Sequence, residues 1–429
     1  MITPREKRWR RRKALADTLA VAAAAPRLNP QAARLALSIA GQRGAVPILG
    51  LAEAAPPLEA ALANAILAHS IEYDDWLPPA YVHAGSIVVP LTLSLAFEKP
   101  LSEALRLIVA GYEAAYQAGA LLGRGHYERW HSTATAGAAA AAAVTALSSP
   151  GNGDPAALSS ALCLALNYAG GFWSALRTEP FYKPLSPANA VATGYLAAKA
   201  ALERPSNCSD ALREVVHLLV SESPAPSRGG EPGILFNEYK FYPTCRHTHS
   251  AIEAAERLSG RVPTPDIVSS VEVRVFGEAA RVAGLGWPRS LEEARFSLRF
   301  LVAVALARGT PSFESLREAI GDPRVRALFE KTRVAEDPEF TRQYPERQPA
   351  FIRIRLESGD VLEQYIPAPK GSRMRRPSLE DILGKASRLA QLAGGHVYAI
   401  ANRVGDAPLH STIKDLIEET NCEGGKGGT

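Results

Sequence analysis

Apolar residues, most of them Ala and Leu, recur at helical spacing from residue 14 to about residue 235. Side chains three and four positions apart share one face of a helix, so this pattern predicts helices. The predicted helices span residues 101–122, 132–147, 155–169 and 187–202. Ser102 is a candidate N-cap of the first helix. The many Ala and Gly residues predict that neighbouring helix backbones approach closely.

The pattern changes after residue 240, where polar and apolar residues alternate over 269–276 and again over 351–367. Alternation predicts strands, and a Ser-Gly-Asp sequence within the second segment predicts the turn of a β-hairpin. Helical patterns lie between these strands at 291–308 and 313–320. After Gly371 the pattern becomes helical again from a capping-type Ser378, so we expect the C-terminal helices to rejoin the first helical domain.

The composition excludes several classes of protein. Of the 429 residues, 47% are hydrophobic and 21% are charged, which fits a folded chain of two domains and not a disordered one. The net charge is +4, but residues 5–13 alone carry +6, which leaves −2 for the remainder. Proteins that bind nucleic acid spread their basic residues over a folded face, so no nucleic-acid partner is expected.

The basic run at 5–13 precedes an apolar segment at 14–25, and this order has two interpretations. It resembles a secretory signal, yet Asp17 and Thr18 interrupt the apolar stretch and Pro26 follows it. We therefore favour a solvated start to a buried Ala-rich helix. No segment contains the roughly 18 strongly apolar residues of a membrane span, so no membrane partner is expected.

The four cysteines are scattered without a CxxC motif. This spacing predicts neither a zinc ribbon nor an iron–sulfur cluster, and it indicates unpaired thiols in a reducing, cytoplasmic compartment. The sequence also lacks a GxxxxGK[ST] motif, a GxGxxG after a predicted strand, a GxSxG and an HExxH. Nucleotide-binding sites, hydrolase elbows and zinc-protease sites are therefore not predicted.

Acids and histidines cluster after one apolar helical pattern. If that helix continues, His69 and Glu72 share a face, with Asp75 and Trp76 on the next turn. Three acids in four positions repel one another when all are exposed and charged, which favours a site-lining role and a carboxyl group of raised pKa. The alternative interpretation is a helix end with solvated acids.

Three further candidates lie where helices begin. His131 precedes Ser132 at the start of an Ala-rich helix, where backbone N–H groups favour an anionic substrate and a neutral imidazole. A single histidine in such a place is more often structural. Lys183 and Lys240 lie in loops that lead into helices, which suits the recognition of a carboxylate.

Cys245, His247 and His249 follow Lys240 closely and raise the question of a metal site. A fourth ligand is missing, and the two histidines are only two residues apart, so no metal is expected there. We expect this loop to present cations and polar groups to a carboxylate instead.

Taken in order, these segments resemble the MmgE/PrpD family, which includes 2-methylcitrate dehydratase, cis-aconitate decarboxylase and iminodisuccinate epimerase. The motifs that carry the resemblance are HSIEYDDW at 69–76, HAGSIVVP at 83–90, GYEAA at 111–115, WHSTATAG at 130–137, KPL at 183–185, YKFYPTCRHTHSAIEAA at 239–255, EEARFSLRFLVAVAL at 292–306 and PKG…PSLEDILGK at 369–385. Together they span most of the chain.

The resemblance implies a mainly α fold, with a large all-helical domain at 1–240 and 373–429 and an inserted smaller α/β lid domain at 241–372. It also implies a homodimer that needs no metal or organic cofactor, with an active site between the domains. By position, the implied catalytic residues are His131, His83, Glu72 and Asp74. The implied substrate-binding residues are Lys183, Lys240, Cys245, Phe300 and Trp76.

The chain departs from the family pattern at several of these positions. They are Glu72 and Trp76 in place of Asp and Thr, Ala84 in place of Pro, Ser186 and Cys245 in place of His, and Phe300 in place of Tyr. Substitutions of this kind preserve the scaffold and alter the contacts with the substrate.

The expected reaction is dehydration of a small hydroxy-polycarboxylate resembling 2-methylcitrate, begun by proton abstraction next to a carboxylate. His131 is the first candidate for the general base or acid and His83 for its counterpart, with Glu72 or Asp74 orienting or tuning it, while the lysines are the candidates to stabilise the developing charge. Epimerisation or decarboxylation of a related acid is the first alternative. A non-catalytic, carboxylate-binding dimer is the second, because fold alone does not determine function.

Overall fold

The structure of the protein is a computed structural model that describes residues 4–150, 154–220, 230–262 and 264–424. Backbone contacts divide it into two compact units, one formed by Met1–Asn237 with Ser378–Thr429 and the other by Glu238–Pro377. Each unit has a buried apolar core. The prediction of a mainly α fold with some β structure is confirmed.

Helices form most of the first unit. In chain order its elements are α1 (Pro4–Leu28), α2 (Pro30–Ala40), β1 (Val46–Pro47), β2 (Ala54–Ala55), α3 (Pro57–His69), α4 (Gly85–Leu95), α5 (Leu101–Tyr127), α6 (Ser132–Ser148), α7 (Pro155–Asn167), α8 (Trp173–Thr178), α9 (Leu185–Glu203) and α10 (Ser209–Leu219). The two short strands pair antiparallel with each other. Three helices after the second unit complete the first: α18 (Leu379–Ala393), α19 (His396–Asp406) and α20 (Ile413–Gly424).

The predicted Ala-rich helices occur as α5, α6, α7 and α9. Small residues let α6 and α9 touch through their backbones, since a Cβ added to Gly194 would lie 2.3 Å from the carbonyl oxygen of Ala138. The prediction for Ser102 was wrong, because Pro100 is the N-cap of α5 and Ser102 is already helical.

The two ends of the described chain meet within the first unit. Residues 14–25 of α1 are buried, and Asp17 Oδ1 lies 2.7 Å from the buried Lys385 Nζ of α18. The guanidinium of Arg12 donates to the carbonyl oxygens of Val404, Gly405 and Ala407. The basic run begins in α1, but the side chains of residues 5–11 lie outside the described set.

The second unit combines helices with one mixed sheet. Its elements are α11 (His249–Ser259), β3 (Val268–Val275), α12 (Gly277–Val282), α13 (Leu291–Ala294), α14 (Leu298–Arg308), α15 (Phe313–Ala319), α16 (Pro323–Lys331), β4 (Thr332–Glu336), α17 (Pro338–Gln343), β5 (Ala350–Leu356) and β6 (Val361–Ile366). The strand order is β4-β3-β5-β6, with β3 and β4 parallel and the other pairs antiparallel. The predicted hairpin is the β5–β6 pair.

Two sequence predictions were wrong, one about a helix and one about the cysteines. The single helix expected over 291–308 is broken into α13 and α14, because the Ser297 side chain caps a new helix by accepting from the Phe300 N–H. The cysteines were expected to be unpaired, whereas Cys163 and Cys208 form a disulfide with a Cα–Cα distance of 6.3 Å. Two cysteines that are 45 residues apart meet only through the packing of the chain, which spacing does not reveal.

Among the described helices, none is long and apolar enough to cross a membrane.

Candidate active site

The candidate site begins where α3 ends. The predicted continuation of this helix beyond His69 was wrong: α3 stops there, and Glu72 adopts a left-handed backbone with φ of 54°. Such a conformation is unusual for a residue with a Cβ and is found most often where surrounding contacts enforce it. The turn moves Glu72 and Asp74 off the helix axis, so they do not follow helical spacing.

The acids after this turn are buried. Glu72 is 5% exposed, and Asp74 and Asp75 are fully buried. The alternative of solvated acids at a helix end is therefore wrong. Buried carboxylates require hydrogen bonds or cations to stay in the folded protein, and each of these three has such partners.

Asp74 connects two histidines. Its Oδ2 atom lies 2.6 Å from His69 Nδ1 and 3.2 Å from His83 Nδ1. His83 Nδ1 also lies 2.7 Å from the carbonyl oxygen of Asp75, which can only accept, so Nδ1 carries the proton. The neutral form of His83 therefore has its lone pair on Nε2.

Lys183 joins this group from the turn that precedes α9. Its ammonium donates to the Glu72 carboxylate, and Nζ lies 2.9 Å from His69 Nε2. Since an ammonium group only donates, His69 accepts through Nε2 and donates through Nδ1 to Asp74. Burial lowers the pKa of His69, opposed by the nearby Asp74 charge and reinforced by the charge of Lys183.

His131 completes the cluster at the first turn of α6. The chain is held there because the His131 backbone N–H donates to the Gly171 carbonyl at 3.0 Å. Its ring is 1% exposed and packs 4.7 Å from the Trp173 ring, and neither ring nitrogen has a hydrogen-bond partner within the described residues. Burial, followed by the charge of Lys183, holds the pKa of His131 well below its usual value, so the imidazole is neutral.

Trp76 forms one side of the cluster. It is 1% exposed, and its ring centre lies 4.8 Å from that of His83 and 6.1 Å from that of Tyr127. The structure thus places Trp76 against a predicted catalytic histidine. A large apolar ring at this position limits the space beside His83 and excludes water from that side.

Asp75 holds the loop beside the cluster through several hydrogen bonds. Its carboxyl group accepts from the Gly85 N–H at 2.9 Å and from the Tyr112 hydroxyl. Burial raises the pKa of Asp75 to about 7, although the Tyr112 hydrogen bond opposes the shift. Because its carbonyl also accepts from His83, Asp75 fixes the loop that carries His83.

The remaining predicted site residues lie in the second unit, within its buried core. Lys240 and Phe300 are fully buried, and the Phe300 ring packs edge to face with Trp287 at 5.3 Å. Cys245 is 6% exposed, and its backbone N–H donates to the Arg295 carbonyl at 3.0 Å. These contacts hold Phe300 and Cys245 in place within the second unit.

Cys245 Sγ lies 3.7 Å from His247 Nδ1, but Cys245, His247 and His249 do not form a three-ligand group within the described residues. His247 Nε2 lies 3.1 Å from the Tyr344 hydroxyl, and His249 Nδ1 lies 3.2 Å from an Arg246 nitrogen. Within the described residues, the grouping of three possible metal ligands is His69, His83 and His131, with one nitrogen from each within 4.8 Å of the others. The fold therefore brings together three histidines from separate segments, a grouping that their spacing in the sequence did not indicate.

Comparison with known proteins places this chain in a family. Models of the MmgE/PrpD N-terminal and C-terminal domains match residues 3–204 and 242–404. The chain belongs to the MmgE/PrpD family.

Several curated proteins resemble the chain at low identity. Cis-aconitate decarboxylase from Aspergillus terreus is 24% identical over 418 residues, which cover 88% of this chain and 84% of the relative. Cis-aconitate decarboxylase from Mus musculus is 26% identical, over 77% of this chain and 71% of the relative. A 2-methylcitrate dehydratase-like protein from Aspergillus oryzae is 31% identical, over 33% of this chain and 32% of the relative. These relatives are lyases by name.

The structure of this MmgE/PrpD protein brings together Glu72, Asp74, His83, His131 and Lys183 in the first unit. Sequence reasoning singled out His69 and Asp75 in the acidic segment but did not include them among the expected site residues, and it did not single out Tyr112. His69 and Asp75 belong to the HSIEYDDW motif. The cluster of acids that follows an apolar helical pattern there was the sequence feature that could have identified them. Tyr112 lay in the GYEAA motif, but nothing in its local sequence indicated the contact with Asp75, which spans 37 positions.

Proposed function

We propose that this protein is a lyase that dehydrates a small hydroxy-polycarboxylate resembling 2-methylcitrate. The observation that carries the proposal is His131, a buried and neutral imidazole whose two nitrogens have no hydrogen-bond partner within the described residues. A neutral imidazole in this state is suited to accept a proton from a bound substrate. His69, His83 and Lys183 surround it with groups that recognise or stabilise an anion.

The reaction needs a base, an acid and a cation. In the proposed mechanism His131 removes a proton from the carbon next to a carboxylate, and Lys183 stabilises the negative charge that develops on that carboxylate. The hydroxyl group on the adjacent carbon then leaves as water after protonation. A carbon–carbon double bond remains in the product.

His83 is the proposed acid. Asp74 Oδ2 lies 3.2 Å and the Asp75 carbonyl oxygen 2.7 Å from His83 Nδ1, and these two contacts fix the orientation of the ring. Glu72 holds Lys183 in place. Lys240, Cys245, Phe300 and Trp76 remain proposed substrate-binding residues on the strength of the family resemblance.

Decarboxylation is the second candidate. It is favoured by the relatives that match over most of this chain, which are named as cis-aconitate decarboxylases. Loss of carbon dioxide from such an acid requires protonation of a carbon atom rather than departure of a hydroxyl group. The same buried imidazoles can supply that proton.

A panel of di- and tricarboxylates, followed by proton NMR in deuterated water, tests these proposals. Dehydration is expected to convert a 2-methylcitrate isomer into an alkene with rising ultraviolet absorbance. Release of carbon dioxide from cis-aconitate would favour the second candidate. Deuterium incorporation with a change in optical rotation and no new product would indicate an epimerase. Calorimetric binding of these acids without any turnover would overturn the enzymatic proposals in favour of a binding protein.

A further inference from the structure

The three histidines of the candidate site form a cluster that is unusual for a site expected to work without metal. One ring nitrogen from each of His69, His83 and His131 lies within 4.8 Å of the others, and all three side chains are buried. Three imidazoles are a common protein ligand set for Zn²⁺, which leaves a fourth position open.

His69 and His83 each make a second hydrogen bond of the kind that metal-binding histidines make. A metal-ligating imidazole usually donates its second N–H to a carboxylate or a backbone carbonyl, which fixes the ring and the tautomer. His69 donates through Nδ1 to Asp74 at 2.6 Å, and His83 donates through Nδ1 to the Asp75 carbonyl at 2.7 Å. In both rings this leaves Nε2 as the nitrogen with the lone pair.

The three ring nitrogens need only a small movement to bind one ion together. Zinc–nitrogen bonds of about 2.0–2.1 Å in a tetrahedral site place two nitrogens about 3.3 Å apart. Each nitrogen therefore has to move by about 1 Å or less from the present arrangement. His131 is suited to this movement, because no hydrogen bond within the described residues restrains its ring nitrogens.

One group opposes a cation at this place. Lys183 Nζ lies 2.9 Å from His69 Nε2 and occupies the lone pair that an ion would use. Glu72 offers Lys183 an alternative partner, since the two side chains are already paired. The positive charge of Lys183 lowers the affinity of the cluster for a metal ion, and this effect has a predictable sign.

We propose that His69, His83 and His131 form a binding site for a divalent transition ion of the Zn²⁺ class, which excludes Lys183 from His69 when it binds. The binding itself does not depend on the reaction that the protein catalyses. Its consequence, competition between the ion and a carboxylate substrate, rests on the proposed function.

Zinc titration of the chelator-treated full-length protein by calorimetry tests the site. We expect about one ion per chain. His131→Ala should weaken binding by more than the roughly 10- to 100-fold that loss of an outer hydrogen-bond partner costs. Lys183→Met should instead tighten it by at least about tenfold, because it removes a neighbouring positive charge. His410→Ala, at an exposed position, is the matched control and should change nothing.

The opposite response of the two site variants separates this proposal from adventitious binding. Co²⁺ should give the intense visible absorption of a tetrahedral site in the wild type and lose it in His131→Ala. Circular dichroism of each variant checks that it is folded. Zinc affinity that is unchanged in His131→Ala, or reduced in Lys183→Met, would overturn the proposal. Neither result would affect the proposed function, which the carboxylate panel tests by itself.

Discussion

The buried position of His131 lowers the free energy of unfolding of the protein. A buried polar atom without a hydrogen bond costs free energy, and both ring nitrogens of His131 are in this state within the described part of the chain. Its ring is held by packing against Trp173, His69 and His83. We propose that a bound substrate supplies the missing hydrogen-bond partner and so offsets this cost.

Replacement of His131 by Leu should therefore separate stability from activity. Leu has a comparable size and no polar atom to leave unpaired, so the free energy of unfolding should rise by about 1 kcal/mol. Loss of the proposed general base should lower kcat by about 10²- to 10⁴-fold. Urea unfolding and steady-state kinetics measure the two effects, with His410→Ala as the exposed control.

Two outcomes contradict this assignment. A His131→Leu protein with wild-type kcat would remove His131 from the chemistry. A protein destabilised by several kcal/mol would mean that the imidazole makes polar contacts that stabilise the fold. Either result would redirect the search for the base to His83, whose ring is anchored by the Asp75 carbonyl.

His126 is a second buried imidazole with a different consequence. Its Nδ1–H donates to the Leu219 carbonyl oxygen, so Nε2 of the neutral ring accepts from the Thr135 hydroxyl. Burial lowers the pKa of His126 to about 4, with the Leu219 contact opposing the shift. The unfolded chain binds a proton near pH 6.5, whereas the folded protein does so only near pH 4. The stability associated with neutral His126 is therefore complete above pH 6.5 and declines as the pH falls towards 4.

The variant His126→Gln should remove this pH dependence. Between pH 7 and pH 4 the free energy of unfolding of the wild type should fall by about 3 kcal/mol more than that of the variant. Denaturant unfolding of both proteins at several pH values measures the difference, and His410→Ala should follow the wild type. Parallel curves for the wild type and His126→Gln would contradict the lowered pKa.

Among the elements, the Ala-rich helices were the most predictable and the acidic turn was the least. The spacing of small apolar residues identifies α6 and α9 because burial repeats along the chain with the period of the helix. Spacing cannot reveal that α3 ends at His69, since the next residues are also buried. The left-handed Glu72 and the Glu72–Lys183 pair, which spans 111 positions, depend on the packed structure.

The contact between α6 and α9 depends on Gly194. A Cβ at this position would lie 2.3 Å from the Ala138 carbonyl oxygen and 2.6 Å from the Ala141 Cβ, so the helices would have to separate. We expect Gly194→Ala to lower the free energy of unfolding by about 1–3 kcal/mol. Thermal or urea unfolding measures this change.

Gly384 in α18 provides the control for Gly194. The nearest atom to an added Cβ there is 4.0 Å away, on Arg388. Gly384→Ala should be neutral or should stabilise the protein by about 0.5–1 kcal/mol, because Ala favours the helix. Equal effects of the two substitutions would mean that α6 and α9 adapt to the extra methyl group.

At the scale of the whole molecule, the first unit is closed by segments from both ends of the described chain. Asp17 and Lys385, which are 368 positions apart, form a buried pair, and Lys385 also donates to the Tyr73 carbonyl at 2.5 Å. Tyr73 lies between Glu72 and Asp74, so the closing contact reaches the turn of the candidate site. Local sequence patterns predicted the returning helix but not this pair.

We propose that the molecule is a homodimer, as the family resemblance implies. Between the end of α7 and α9 the first unit exposes several large apolar side chains, which we infer form one apolar patch: Tyr168, Phe172, Tyr182, Leu185 and Leu196. Leu185 and Leu196 are about three turns apart and share one face of α9. Large exposed apolar patches typically mark interaction sites, and a second copy of the chain is the partner we propose.

Leu196→Lys should weaken this dimer, because it places a charge in the apolar patch at a side chain that is 63% exposed in the single chain. Analytical ultracentrifugation should give twice the chain mass of 45.8 kDa for the wild type and a shift towards the monomer for the variant. Leu409→Lys, at a half-exposed leucine outside the patch, is the matched control and should remain dimeric. A monomeric wild type would contradict the dimer. A dimer that tolerates Leu196→Lys and dissociates in Leu409→Lys would place the interface elsewhere on the first unit.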